Sequence, residues 1–514
     1  MKQVLHIFRK DARHFWLESA VSIAVVAAFA WSEVRSWTAP DDFSTRFIGF
    51  LKGLPTILVL LSWWFVIARV VQDEALVGDR QFWITRPYEW QKLLAAKVLY
   101  VAVFINLPLF IVDIFLLAKA GFNPVSYIPG LLWMQLMLAV FLLLPMAALA
   151  TVTSNVVQMG LASLIVFLYL GGVAALYAHI PSSSFSFESE DLQALILIGT
   201  ASMVIVWQYA QRKTAKSRWL IAGTAGVIVL MAVATPYGIL VARNYPQLAA
   251  GQQPPVQLAL APVKPHAPVE ENDFSKKEPV QIYVPWNISG LANESIVVVN
   301  GIMVMIEAPN HVRWDSGWLS QATFLYPGQR GAQLSFELPR DLYERVKTIP
   351  VKTNISLIKT VYQDKNRREF VTPSGEFALP DVGLCVAKAG WSNTMDCRSA
   401  LRKPTSLLVS SDSSLTTCAA RKGAPPTRPG EMGHAWQSNS DPGPAEFGFS
   451  PIQTFNFYLT PANGSVEIRG ICPGTPLVLS NPEEVQRLRT SVEIDGMRLA
   501  DYRFLFRPYE FGSP

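Results

Sequence analysis

Residues 128–150 read IPGLLWMQLMLAVFLLLPMAALA, twenty-three residues without one charged side chain. A helix rises about 1.5 Å per residue and the hydrocarbon of a bilayer is about 30 Å thick, so about 20 such residues cross it. A backbone in lipid has no water to bond to, and only a helix or a closed barrel satisfies its own N–H and C=O groups. The stretch is too long for a strand and too apolar for a half-solvated helix. Read as a membrane-spanning helix, it sets the class of the first half of the chain.

Working outward, runs of the same kind lie near Trp16 to Glu33, Phe50 to Val71, Leu93 to Leu117, Val156 to Tyr177, Leu192 to Tyr209 and Trp219 to Leu240, which makes about seven spans. The chain of 514 residues is 50% hydrophobic and 16% charged, with mean hydropathy +0.25. Those proportions exclude an ordinary soluble protein, and the length exceeds one domain. Beyond residue 240 or so the apolar runs stop and the sequence alternates like that of a soluble domain. Ahead of the first span, MKQVLHIFRKDARHFW puts Val4, Leu5, Phe8, Ala12 and Phe15 on one helical face, with Lys2, Arg9, Lys10 and Arg13 largely elsewhere. This predicts an interfacial helix leading into an uncleaved first span. Ala28-Phe29-Ala30 has the form of a leader cleavage site, but the leader would be long and contain an acid.

Lys and Arg resist translocation and mark the cytoplasmic side. With seven spans and the amino terminus inside, thirteen of them fall in cytoplasmic segments and four outside. The region after the last span is therefore extracytoplasmic. All four cysteines, Cys385, Cys397, Cys418 and Cys472, fall there, as disulfides in an oxidising compartment would. The expected pairs are Cys385 with Cys397, closing a short loop between strands, and Cys418 with Cys472, tying a long loop back to a sheet. No CxxC spacing points to zinc.

The expected organisation is an interfacial helix over 1–15, a polytopic α-helical membrane domain over 16–241, a proline-rich linker over 242–279, and a β-rich, sandwich-like extracytoplasmic domain over 280–514. Strand-like runs include Val280 to Val284, Ser295 to Val299, Ile302 to Ala308, Gln333 to Leu338, Asn354 to Tyr362, Thr454 to Leu459 and Ser491 to Ile494. Asn300-Gly301 reads as a hairpin turn. Residues 421–451 read as a long exposed loop.

Catalytic signals are sparse. From residue 243 on there are about 27 basic and 26 acidic residues, so no electrostatic footprint for nucleic acid exists. The six histidines are scattered without HExxH, which disfavours a zinc peptidase, and His434 reads as a solvated loop residue. No metal or cofactor site is expected.

The informative interval is QDEALVGDRQFWITRPYEWQKLLAAK, residues 72–97, between spans two and three on the cytoplasmic side. Two readings of the residues stand: an amphipathic element with a docking surface for a cytoplasmic partner, or an interfacial loop anchored by its aromatics and bases. The series Glu74, Gly78, Thr85, Pro87 and Lys97 resembles the first cytoplasmic loop of ABC-2 type transporter permeases, where such residues surround a coupling helix that contacts the ATPase. The amino-terminal helix is similar to that family's elbow helix. In place of the family's small hydroxyl residue after the glycine stands Asp79, and after the proline stands Tyr88-Glu89-Trp90 rather than a basic residue. Six spans are usual in the family.

The resemblance implies a permease subunit, acting with a separate ABC ATPase that binds the ATP and with a second permease copy or a related permease. It implies a multi-pass protein of the cell membrane, the inner membrane in a bacterium, surrounded by lipid. In that reading Phe82 and Trp83 insert into the ATPase while Glu74 and Lys97 fix the ends of spans two and three. The chain lacks GxxxxGK[ST], so no P-loop of its own is expected and the subunit is read as a non-enzyme. The alternative is a non-transporting membrane protein that displays its outer domain as a sensor or assembly module.

Overall fold

A computed structural model describes residues 2–37, 45–73, 89–178, 187–234, 241, 243–248, 254–262, 279–292, 294–329, 331–379, 382–387, 395–401, 406–412, 432–438, 449–457, 460–461 and 471–503. The first half is helical: α1 (Lys2–His14), α2 (Trp16–Ser36), α3 (Thr45–Gln72), α4 (Trp90–Val101), α5 (Leu107–Lys119), α6 (Pro124–Leu138), α7 (Leu144–Val152), α8 (Val156–Ala178), α9 (Phe187–Gln211) and α10 (Thr214–Ala234). Six helices among the described residues are long and apolar enough to cross a membrane: Trp16–Arg35, Gly53–Gln72, Trp90–Lys119, Pro124–Val152, Val156–Ala175 and Leu192–Gln211. The seventh expected span, Trp219 to Leu240, begins as α10 and runs into residues 235–240, outside the described set.

Two of the six are built from pairs of α-helices joined by one π-helical turn, Ala102–Asn106 between α4 and α5 and Ala139–Leu143 between α6 and α7. The physical reason lies two residues downstream of each turn, at Pro108 and Pro145. Proline has no N–H, so a carbonyl in the preceding turn loses its partner and the ladder shifts locally to i→i+5 bonds. Leu107 N–H accordingly bonds Ala102 O, and Leu144 N–H bonds Ala139 O. Between α5 and α6 the chain reverses in three steps. Gly121 at φ 88° accepts a left-handed position, Phe122 N–H bonds Leu117 O, and the Asn123 side chain accepts from Val125 N–H to start α6 at Pro124.

The second half is rich in β-strands, which form four sheets among the described residues. β3 (Ser295–Glu307), β4 (Arg313–Leu325), β6 (Val351–Gln363) and β16 (Glu483–Met497) form one sheet in the order β16-β6-β3-β4. A second is β1-β2-β5, from β1 (Gln257–Leu260), β2 (Val280–Ser289) and β5 (Gly331–Leu338). The inward residues of both, such as Ile282, Trp286 and Phe336 from one and Val299, Ile355 and Leu488 from the other, share one hydrophobic core with the short helix α11 (Arg340–Val346). A second core joins β9 (Gly383–Ala387) and β10 (Met395–Ala400) to β11 (Ser406–Asp412) and β15 (Pro476–Ser480). Within it Cys385 and Cys397 stand opposite each other on paired strands and form the expected disulfide, with Cα atoms 4.1 Å apart. Cys472 is also disulfide-bonded, while its expected partner Cys418 lies outside the described residues.

Three expectations change here. Asn300-Gly301 is no hairpin turn: β3 runs straight through it as a bulge, and Asn300 Oδ1 accepts a hydrogen bond from Thr360 Oγ1 on the neighbouring strand. Asn-Gly tolerates the irregular backbone of a bulge as well as that of a turn, and long flanking apolar runs decide for the bulge. β1 lies inside the expected linker, paired to β2. β12 (Met432–Ser438) lies inside the expected loop and pairs with β11, which buries His434 against Tyr326 with ring centroids 4.1 Å apart. Burial pushes the His434 imidazole down to about 4.

Candidate functional site: the junction of the amino-terminal helix with two membrane helices

α1 is amphipathic at helical spacing. Ile7 is buried in the helix bundle with Val4, Phe8 and Ala12 packed beside it, and Phe8 stacks on Phe104 and meets the edge of Tyr100. His6, Arg9, Lys10, Arg13 and His14, at i, i+3, i+4, i+7 and i+8, line an open cavity of about 620 Å³.

One acid sits on the buried side. Asp11 is fully buried, and Lys97 of α4, 3% exposed, donates from Nζ to Asp11 Oδ2 at 2.8 Å. Such a pair holds only because each charge answers the other, since removing one partner leaves a desolvated charge. Asp73, at the end of α3, faces the same helix: Lys10 Nζ lies 3.6 Å from Asp73 Oδ2 and His14 Nε2 lies 4.0 Å from Asp73 Oδ1. Glu18 at the start of α2 meets Arg69 of α3 at 3.9 Å, and Ser19 Oγ lies 2.5 Å from Tyr100 Oη on α4. Four helices thus converge, and α1 touches both flanks of residues 74–88.

The sequence-expected positions divide accordingly. Glu74, Gly78, Phe82, Trp83, Thr85 and Pro87 lie outside the described residues. Lys97 lies at the centre of the junction, and its partner is Asp11 on the amino-terminal helix. Asp11 escaped the reading of the sequence. Its signal was present: Val4, Ile7, Phe8, Asp11 and Phe15 follow i, i+3, i+4, i+7, i+11, so an acid interrupts an apolar stripe. A charge in that place needs a buried partner.

A second contact joins the two halves of the chain. The Phe449 ring lies 5.3 Å from Trp63 of α3 and 6.5 Å from Phe29 of α2. Ile452, which begins β13 (Ile452–Phe457), belongs to the buried core of the helices, with Ala400 and Leu401 packed against it. Leu401 sits so near Gly130 of α6 that a Cβ there would come within 2.4 Å of Leu401 Cδ1, and Leu384 stands in the same relation to Gly121 at 2.8 Å. The disulfide-bearing strands therefore rest on the helices where glycines leave room.

Among the described residues no group of three His, Cys, Asp or Glu side chains is placed to hold a metal. No family model matches the chain, and no curated protein matches it. Among solved structures, red sea bream transglutaminase aligns at 10% identity and a TM-score of 0.14, over 50% of this chain. The match spans 33% of the transglutaminase, and a likeness so slight carries no argument about fold or activity.

Proposed function

We propose that the chain is the permease subunit of an ABC-2 type ATP-dependent transporter, an exporter, working with a separate ATPase subunit and a second permease. Its amino terminus is cytoplasmic, residues 74–88 dock the ATPase, and the β-rich half, with its sandwich-like pair of sheets, stands outside the cell membrane. The observation that supports this best is the way α1 holds both flanks of that interval, through Asp73 with Lys10 and His14, and through Lys97 with Asp11. A push on the interval reaches α3 and α4 together, which a coupling element requires. The resemblance of Glu74, Gly78, Thr85, Pro87 and Lys97 to the family's loop supplies the identity of the pusher.

One observation favours the display reading: the packing of Phe449 and Ile452 into the helices fixes the outer domain to its support, as a sensor or assembly platform would need. Purification of the full-length protein in mild detergent, followed by identification of bound proteins, separates the two. A nucleotide-binding subunit in stoichiometric amount supports the permease, and its absence supports display.

A further inference from the structure

The two π-helical turns are joined by a chain of polar side chains that ends on a carboxyl group inside the membrane half. Asn106, the last residue of the first π turn, donates from Nδ2 to Gln135 Oε1 at 3.1 Å and lies 3.4 Å from the Gln135 carbonyl. That same carbonyl receives the N–H of Ala139, the first residue of the second π turn. Gln135 Nε2 donates in turn to Asp113 Oδ2 at 2.9 Å. Asp113 is fully buried on the helix face that also carries the buried Leu109, Leu116 and Leu117, and its Oδ1 has no hydrogen-bond partner among the described residues.

No cation among the described residues answers it. α6 and the first π turn, packed on α5, carry no charged residue. α2 carries Glu18, Glu33 and Arg35, of which Glu18 meets Arg69 and Arg35 lies over the Trp31 ring. On α5 itself Lys119 lies near the Phe115 ring. An ionised carboxylate here would be a desolvated charge with one hydrogen bond, which a low-dielectric interior strongly disfavours. A metal ion is no remedy, because hard cations need about six oxygen ligands and both Gln135 oxygens already face Asn106 Nδ2. A proton needs one lone pair, and Oδ1 offers it.

We propose that Asp113 Oδ1 is an intramembrane proton-binding site, loaded and emptied as the π turns of its own helix and of the neighbouring one shift. A π turn holds one extra residue, and moving it along the helix rotates each residue it passes by about 100°. Passing Asn106, the shift swings its amide off Gln135 and releases the end of the chain. On opening, the Asp113 O–H bond breaks, its electron pair stays on Oδ1 and the proton goes to water; closing reverses the step. The site does not depend on an ATPase, so its failure and that of the transporter reading are separate outcomes.

Infrared spectroscopy of the full-length protein in lipid bilayers at neutral pH tests it. The expected result is a carbonyl stretch of a protonated carboxylic acid that is lost in Asp113→Asn and displaced in Asp113→Glu. In heavy water the band shifts down as the proton exchanges, and Asn106→Leu alters the rate of that shift. If neither variant changes the carboxylic-acid region, Asp113 is ionised and the proposal fails. A band assigned to Asp113 that never shifts in heavy water marks a sealed structural acid and overturns it equally. Should Asp113→Asn fail to insert, the displacement in Asp113→Glu carries the assignment.

Discussion

Asp11 and Lys97 illustrate how one residue's meaning depends on its burial. Asp11→Asn removes the carboxylate 2.8 Å from the buried Lys97 ammonium, and breaking such a buried pair is expected to cost about 3–5 kcal/mol. Thermal unfolding in detergent should show a clear drop, with Asp11→Leu/Lys97→Met recovering most of it. A single-variant stability equal to wild type would contradict the pairing. Lys97 was legible in the sequence as a residue to single out, but its partner was not, because an 86-residue separation hides behind local charge patterning. His434 was misread for a similar reason. Its neighbours Gly, Glu and Ser suggest a loop, while β11 and Tyr326, distant in sequence, bury it. With a folded value near 4 against an ordinary 6.5, His434 stays neutral in the fold while the unfolded chain takes up a proton. Stability it supports is fully present above pH 6.5 and is lost as pH falls toward 4, by about 3 kcal/mol. Amide exchange of β11 and β12 should accelerate over that window, and His434→Gln should flatten the dependence.

At the scale of elements, apolar runs made the spans legible, since lipid demands about 20 apolar residues in a row. The π turns do not show in hydropathy, although Pro108 and Pro145 inside long apolar runs are the residues that produce them. Short strands fared unevenly. β6 stands where Asn354 to Tyr362 predicted it, whereas β12 emerges from a stretch whose glycines and prolines look like loop. Its strand character comes from pairing with β11, a tertiary effect that propensity does not carry. The turn between α5 and α6 gives a direct test of the contact between the two halves. Gly121 combines φ 88° with Leu384 at 2.8 Å from an added Cβ, so Gly121→Val meets backbone strain and a close contact together. The expected cost is about 1–3 kcal/mol, with faster exchange in β9 and β10. Unchanged exchange there would mean that the strands do not rest on the turn.

For the whole molecule, long apolar helices, six of them among the described residues, followed by a β-rich half fix the coarse architecture, and the topology follows as a prediction from charge placement. Reporter fusions after residues 85, 215 and 300 or so should read inside, inside and outside; an inside signal at the third would reverse the placement of the β-rich half. The central claim is that residues 74–88 couple the membrane half to an ATPase. Of the residues assigned to that role, the structure describes Lys97 alone, and it stands at the junction of α1 with α4. Trp83→Ala compared with Arg80→Ala tests the claim most directly. Truncating a buried aromatic anchor costs about 2 kcal/mol, roughly 30-fold in affinity, whereas a rim charge costs little. The measurement is the amount of ATPase recovered with each full-length variant, together with its hydrolysis rate, after membrane insertion has been verified. The account predicts loss of both in Trp83→Ala and near wild-type values in Arg80→Ala. Wild-type recovery and hydrolysis in Trp83→Ala would contradict it and leave the interval an interfacial loop held by its tryptophans.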